Sequence, residues 1–195
     1  MILGISGETS VIAQKYVEMF AEKSDVIYRR NPRDLPIGCD DYLICSGLLY
    51  GEKLSELRQE QIDEVNRVNY SDIATACDII LDNNPRARVC IVGSISGEQG
   101  SYDMAYAGAK AAMHLYVKTK RLSHPYQNLV CIAPWFVQDA KMTTRRPDFG
   151  QLLERGKKRR VGRWALSREV ARIAHFAINE RLLCNTVIEA KGGVW

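Results

Sequence analysis

Short apolar runs alternate along this chain with longer segments in which apolar residues recur every three or four positions. The runs are ILGIS (2 to 6), DVIYR (25 to 29), DYLICSG (41 to 47), RVCIVGS (88 to 94), LVCIAP (129 to 134) and TVIEA (186 to 190). Each is short, rich in β-branched residues and bounded by Gly, Pro, Asn or Asp, which predicts strands. Between them Ile12, Tyr16, Val17 and Phe20 lie at helical spacing, as do Ile62, Val65, Val68, Ile73, Ala76 and Ile80, and Ala112, Leu115 and Val117 running on to Leu122. A last helix is expected to start at Ser167 as N-cap and to carry Val170, Ile173, Ala174 and Ala177. Strands alternating with helices imply right-handed crossovers, hence an α/β protein with a doubly wound parallel sheet in three α/β/α layers.

In such sheets ligands bind beyond the carboxyl ends of the strands, so the turns that follow the strands are where chemistry is expected. The first turn contains Gly4, Ser6, Gly7, Ser10 and Val11 and opens onto a helix. There a pyrophosphate can approach backbone N–H groups at the positive end of the helix dipole. The second strand ends in Arg29 and Arg30, with no carboxylate before Asp34. A site for NAD normally has an acidic residue there for the ribose 2′-hydroxyl, whereas arginine pairs with a 2′-phosphate, so NADP is expected in preference to NAD. Ser94 ends the fourth run, and Tyr106 and Lys110 follow at i and i+4 on a helix. An ammonium beside a phenol favours phenolate and lowers its pKa. The same YxxxK spacing recurs at Tyr116 and Lys120. Tyr106 stands near its helix start, 12 residues after Ser94, whereas Tyr116 is mid-helix with Met104 at that offset. Tyr116 and Lys120 are therefore read as surface and packing residues.

Composition adds limits. A length of 195 residues suits one domain, and 46% hydrophobic with 26% charged residues excludes a disordered or collagen-like chain. No apolar run reaches the roughly 18 residues of a membrane span, and Met1 leads straight into the first strand without a signal-like stretch, so a cytoplasmic protein is expected. Cys39, Cys45, Cys77, Cys90, Cys131 and Cys184 are scattered singly, which reads as reduced, packed thiols rather than a disulfide frame; with no ligand spacing among the histidines, no metal is expected. The net charge of +4 is concentrated: Arg145 to Arg163 holds eight basic and two acidic residues, leaving 19 basic against 21 acidic elsewhere. Nucleic-acid binding is not expected from so local a basicity without an aromatic platform or reading helix.

Taken in order, these segments resemble the short-chain dehydrogenase/reductase family over nearly the whole chain. Cys45-Ser46-Gly47 stands in the place of its NNAG, Asn69 in that of its helix asparagine, Ser94 in that of its serine, and Tyr106 with Lys110 in that of its YxxxK. Pro134 to Val137 resembles its PGxV segment, Arg163 to Ala171 its RxxxPEEVA, and Ile188 to Gly193 its last strand and GG. The first turn lacks TGxxxGxG and is closer to the divergent turn of enoyl reductases. The resemblance implies a compact Rossmann fold that transfers a hydride between NADP(H) and a carbonyl or alcohol. It implies Tyr106 as acid and base, with Ser94 orienting the oxygen, Lys110 on the nicotinamide ribose and Asn69 holding a water. Ser46, Gly47, Pro134 and Val137 would join Gly4, Ser6, Gly7, Ser10, Val11, Arg29, Arg30, Tyr106 and Lys110 around the cofactor. It further implies a substrate lid over 138–165, whose basic residues either attract an anionic substrate or face solvent, and a homodimer or homotetramer through the helices of Asn69 and Tyr106. The competing class is a non-catalytic dinucleotide-binding or regulatory protein on the same fold.

Between the second and third strands only the ten residues Asn31 to Asp40 intervene. A parallel crossover needs a dozen or more, so the helix and outer strand expected there must be missing or reduced to a loop.

Overall fold

The computed structural model describes residues 1–193. Six parallel strands, β1 (Leu3–Ser6), β2 (Val26–Arg29), β3 (Asp41–Ile44), β4 (Arg88–Val92), β5 (Asn128–Pro134) and β6 (Thr186–Ala190), form one sheet in the order β2-β1-β3-β4-β5-β6. The order reverses between β1 and β3, and that reversal is the crevice in which such sheets bind ligands.

Eight α-helices pack on or around the sheet: α1 (Val11–Phe20), α2 (Gln59–Asn66), α3 (Asp72–Asn83), α4 (Ser96–Gln99), α5 (Met104–Thr119), α6 (Lys141–Thr144), α7 (Phe149–Lys157) and α8 (Ser167–Asn179). Strand alternation sends residues to opposite faces. Leu43, Cys90, Val130 and Ile132 point to the layer of α1 and α8, where they meet Ile12, Tyr16, Val170 and Ala174. Tyr42, Ile44, Val89, Ile91, Leu129 and Cys131 point to the other layer and meet Ile73, Ile80, Met113 and Val117. Because β3, β4 and β5 bury both faces, their sequences read as continuous apolar runs.

The apolar spacing from Ile62 to Ile80 widens to five residues between Val68 and Ile73. The widening has a structural cause: Arg67–Ser71 is a π-helical turn between α2 and α3, and Asn69 is buried within it. Such turns are frequent at functional sites.

The trimmed connection is as expected. After β2 the chain makes one short 3₁₀ turn, Pro32–Asp34, and returns directly to β3, leaving β2 as the sheet edge. In place of a further layer, Leu35 and Cys39 plug the space beside Gly4, and the Tyr42 hydroxyl donates toward the carbonyls of Pro36 and Ile37 and closes the loop.

Ser167 is not the N-cap of the last helix but its first residue, with Leu166 before it. Its hydroxyl and backbone N–H both donate to the Asp139 carboxylate, at 2.6 and 2.8 Å, so it ties α8 to the chain leaving β5. Beside it Arg163 holds Glu169 through two bonds of 2.8 and 2.7 Å, which pulls the Glu169 carboxyl down to about 2. A carboxyl depressed on folding stabilises the fold above its unfolded range near 4.5, and that contribution is lost as pH falls toward 2. For a partly exposed pair it amounts to no more than about 1 kcal/mol. Glu169→Gln should therefore show a smaller loss of urea stability between pH 4.5 and 2 than the wild type; an identical loss would contradict the assignment.

Candidate functional site

The carboxyl ends of β1, β3, β4 and β5 carry the turns from which the site is built. After β1, Gly7 has φ +78, and a Cβ there would lie 2.6 Å from the Cys45 carbonyl carbon and 2.7 Å from its oxygen. The first turn and the turn after β3 are thus in backbone contact, a closeness only glycine permits. The hydroxyls of Ser6 and Ser46 bond to each other at 2.9 Å and fasten the same two turns, so both side chains are engaged within the protein. Ser10 takes the N-cap position of α1 without a side-chain cap bond, and its hydroxyl lies near the Cys45 thiol. The first turn of α1 carries no acidic residue, which keeps its positive end free of a competing carboxylate. Arg29 pairs in register with Ser6, which sets Arg29 and Arg30, both exposed, at the edge beside the first turn.

After β4, Ser94 accepts from the Ser96 N–H at 3.2 Å. Its hydroxyl is close enough to the Tyr106 phenol to lower the phenol's pKa; Tyr106 stands in the first turn of α5, where Asp103 caps the helix by accepting from the Tyr106 N–H at 2.9 Å. One turn on, Lys110 is only 2% exposed; its Nζ donates to the Val92 carbonyl at 3.4 Å and lies 5.5 Å from the centre of the Tyr106 ring. Asn69 accepts from the Leu48 N–H at 3.2 Å and donates to the carbonyls of Leu48 and Val65, at 2.8 and 2.9 Å. It therefore braces the turn after β3 against the π turn, and Gly47 beside it keeps open the space between Asn69 and Lys110: a Cβ there would lie 3.4 Å from Asn69 Oδ1 and 3.9 Å from Lys110 Nζ.

The electrostatics differ from the sequence expectation in one respect. The phenol of Tyr106 is pushed up to about 12 by burial, which outweighs the downward pull of the Ser94 hydroxyl, with Asp103 adding a smaller upward push. Lys110 is pulled down to about 8, again by burial. The ammonium sits over the ring face and reaches toward Val92 rather than the phenol oxygen, so desolvation of both groups outweighs their mutual attraction. Burial likewise holds the thiols of Cys45 and Cys131 up at about 12, and these stay neutral beside Lys110.

The second YxxxK pair behaves as expected of packing residues. Tyr116 donates to Asp78 at 2.8 Å, and Lys120 bridges Asp78 and Asp82 at 2.7 and 3.3 Å, binding α5 to α3. On the opposite edge of the site, Pro134 ends β5 and buried Val137 bridges to Ala165, closing the base of the segment that holds α6 and α7. Several basic residues of that segment have structural partners. Arg159 stacks on Trp135 at 4.3 Å and Trp164 at 5.2 Å and donates to the Lys191 carbonyl, Arg146 grips Asp148, and Lys157 pairs with Glu154. Trp135 is thereby held beside Trp164, its ring 5.8 Å from the latter.

Sequence reasoning missed His114, one further turn along α5. It is 3% exposed and neither ring nitrogen has a partner. Its spacing of four from Lys110 was the available signal.

No protein-family model matches the chain, and no curated protein matches it in sequence. Solved structures do. A short-chain dehydrogenase/reductase of the glucose/ribitol dehydrogenase kind from Brucella melitensis superposes with TM-score 0.86 at 13% identity, covering 100% of this chain and 96% of that one. A 3-oxoacyl-[acyl-carrier protein] reductase from Brucella melitensis ATCC 23457 gives 0.79 at 17%, covering 98% and 90%. BdcA in complex with NADPH gives 0.80 at 17%, covering 99% and 94%. The chain therefore has the doubly wound, Rossmann-like fold of these proteins.

Proposed function

We propose that this chain is an oxidoreductase of the short-chain dehydrogenase/reductase type, acting on a carbonyl or alcohol with NADP(H). The observation that carries the reading is the convergence of Ser94, Tyr106 and buried Lys110 at the carboxyl end of β4, beside the sheet's reversal point. The shared fold, and NADPH bound by the structurally similar BdcA, support it.

The residues present fit a dinucleotide. The Gly7 turn and the positive end of α1 suit a pyrophosphate, Arg29 and Arg30 suit a 2′-phosphate, and the opening at Gly47 leads to Lys110, which has donors beyond its one long bond to Val92. When bound, the nicotinamide supplies or accepts the hydride. In the reductive direction Tyr106 protonates the developing alkoxide, while the Ser94 hydroxyl bonds the same oxygen and orients it. A phenol held up near 12 is fully protonated at neutral pH and ready to donate. Lys110 is mainly charged at pH 7 and would hold the cofactor's ribose by donating to it. Asn69 keeps the turn after β3 in place through Leu48. The segment 138–165, anchored at Val137 and by the Asp139–Ser167 bonds, covers the substrate side. Arg146, Lys157, Arg159 and Arg163 are engaged structurally, which leaves the segment a net positive charge and keeps both roles, a structural cover and an attractor of anions, within the reading. Association into dimers or tetramers would use the outer faces of α3 and α5, where Ile79 and Leu115 are exposed while Met113 and Val117 are buried in the core.

The cofactor reading is tested by measuring NADPH and NADH binding to the wild type and to Arg29→Ala and Arg30→Ala. NADPH should bind more tightly to the wild type, and each variant should lose about tenfold, or about 1.4 kcal/mol, toward NADPH alone. Equal affinities throughout would overturn the preference for NADP.

A further inference from the structure

The point that a Cβ on Gly47 would occupy has as its nearest heavy atoms Asn69 Oδ1 at 3.4 Å, Met142 Cε at 3.8 Å and Lys110 Nζ at 3.9 Å. Asn69 and Lys110 belong to the residues gathered at the carboxyl ends of the strands. Met142 comes from α6, in the segment that covers the substrate side. A single carbon fits among the three at ordinary van der Waals distance, and a ribose does not. For a cofactor sugar to reach Lys110 through this opening, one of the three must give way.

Two of them are held. Asn69 is buried, and its carboxamide makes bonds of 3.2, 2.8 and 2.9 Å with Leu48 and Val65. Lys110 is buried on α5 with its Nζ bonded to the Val92 carbonyl. Met142 is 42% exposed, and its unbranched thioether carries no polar hydrogen and turns about three soft bonds, so it can swing aside at little cost. The backbone that carries it is nevertheless braced. Asp139 accepts from the Ser167 N–H and hydroxyl at 2.8 and 2.6 Å, Val137 bridges to Ala165, and Thr143, next in the chain, is buried. A movable methyl group is thus presented from a fixed turn. Resting near Nζ, it also helps keep water from an ammonium that burial already pulls down to about 8.

We propose that Met142 belongs to the cofactor site: its methyl closes the way to Lys110 while the site is empty, and the nicotinamide half of NADP(H) must displace it to enter. The inference rests on the reading of Lys110 as the group that holds the cofactor's ribose. On that reading the adenine half lies at the Gly7 turn and beside Arg29 and Arg30, across the sheet's reversal point, and meets no such plug. Met142 therefore weakens the binding of one half of the cofactor and is indifferent to the other, a split that a merely structural role would not produce.

The test measures binding of NADPH and of adenosine 2′,5′-bisphosphate, which carries only the adenine half, to the wild type, Met142→Ala and Met142→Leu. Met142→Ala should bind NADPH about three- to fivefold more tightly than the wild type, because one thioether no longer has to be displaced. Met142→Leu, of similar volume, should stay near the wild type, and adenosine 2′,5′-bisphosphate should bind all three equally. With the methionine methyls labelled with ¹³C, the Met142 signal, one of five and identified by its loss in Met142→Ala, should shift with NADPH and stay in place with adenosine 2′,5′-bisphosphate. NADPH affinity unchanged or reduced in Met142→Ala, an equal gain in Met142→Leu, a parallel change for adenosine 2′,5′-bisphosphate, or a Met142 methyl indifferent to NADPH would each overturn the proposal and leave the functional reading standing. Absence of NADPH binding in all three proteins would remove that reading and the inference with it.

Discussion

Tyr106→Phe should retain NADPH binding and lose turnover by about 10² to 10⁴-fold, the range that a positioned general acid contributes. At 1.36 kcal/mol per tenfold this is about 3 to 5 kcal/mol of transition-state stabilisation carried by one hydroxyl. The change leaves the ring under Lys110 and the helix cap at Asp103 intact, because the cap bonds the Tyr106 backbone N–H and the cation meets the ring face. Stability should fall by no more than the loss of a polar contact with the Ser94 hydroxyl, about 1 kcal/mol. Steady-state NADPH oxidation with ketones and aldehydes, beside an NADPH titration by fluorescence, reads the two effects separately. Near-normal turnover in the variant would sink the assignment of Tyr106. A wild type that binds NADPH tightly and turns over nothing would instead favour the competing class, a dinucleotide-binding protein that kept the fold.

Gly7→Ala is expected to be the most damaging single methyl group in the chain. At φ +78 an L side chain costs roughly 1 to 2 kcal/mol from backbone sterics alone. The added Cβ would also overlap the carbonyl of Cys45 at 2.6 and 2.7 Å, and neither partner is a flexible side chain that can swing away. The turns after β1 and β3 must then separate, breaking the Ser6–Ser46 bond between them. Together these should lower stability by about 2 to 4 kcal/mol and weaken NADPH binding at least about tenfold. Gly100→Ala is the control, for it has the same φ of +78 with nothing within 4 Å of the added carbon. It should show the dihedral cost alone. Equal melting temperatures for the two variants would refute the close contact of the two turns.

Much of the fold was legible because its signals are local. The six strands fall within a few residues of the apolar runs, since β3, β4 and β5 are buried on both faces and need continuous apolar sequence there. The missing outer strand was legible from chain length, because ten residues cannot complete a parallel crossover. Position along the helix separated Tyr106 from Tyr116, and the latter indeed bonds Asp78 on the neighbouring helix. Helix ends were less legible: Ser167 has the residue type of an N-cap, but its hydroxyl is taken by Asp139, 28 residues away in the chain. The helices α6 and α7 were not anticipated, as their basic residues look solvated until Trp135, Trp164 and the Lys191 carbonyl are brought around Arg159.

The opposite signs of the two central shifts show where local reading ends. Spacing places Lys110 one turn from Tyr106 and suggests a phenol made more acidic, yet the phenol is held up near 12 and the ammonium down near 8. What decides this is desolvation, and desolvation is supplied by distant segments, Val92 of β4 and Gly47 of the turn after β3 among them. The same holds for His114, an unremarkable polar residue on a helix until Gly93 and Cys131 close over it and leave its nitrogens without partners. By itself, then, the sequence determined the order of strands and helices, the trimmed edge and the alignment of Tyr106 and Lys110 on one helical face, since periodicity and chain length are properties of neighbouring residues. Only the tertiary structure decided which of those groups lose water and which way their charges shift, because burial is set by what packs against a residue from elsewhere in the chain.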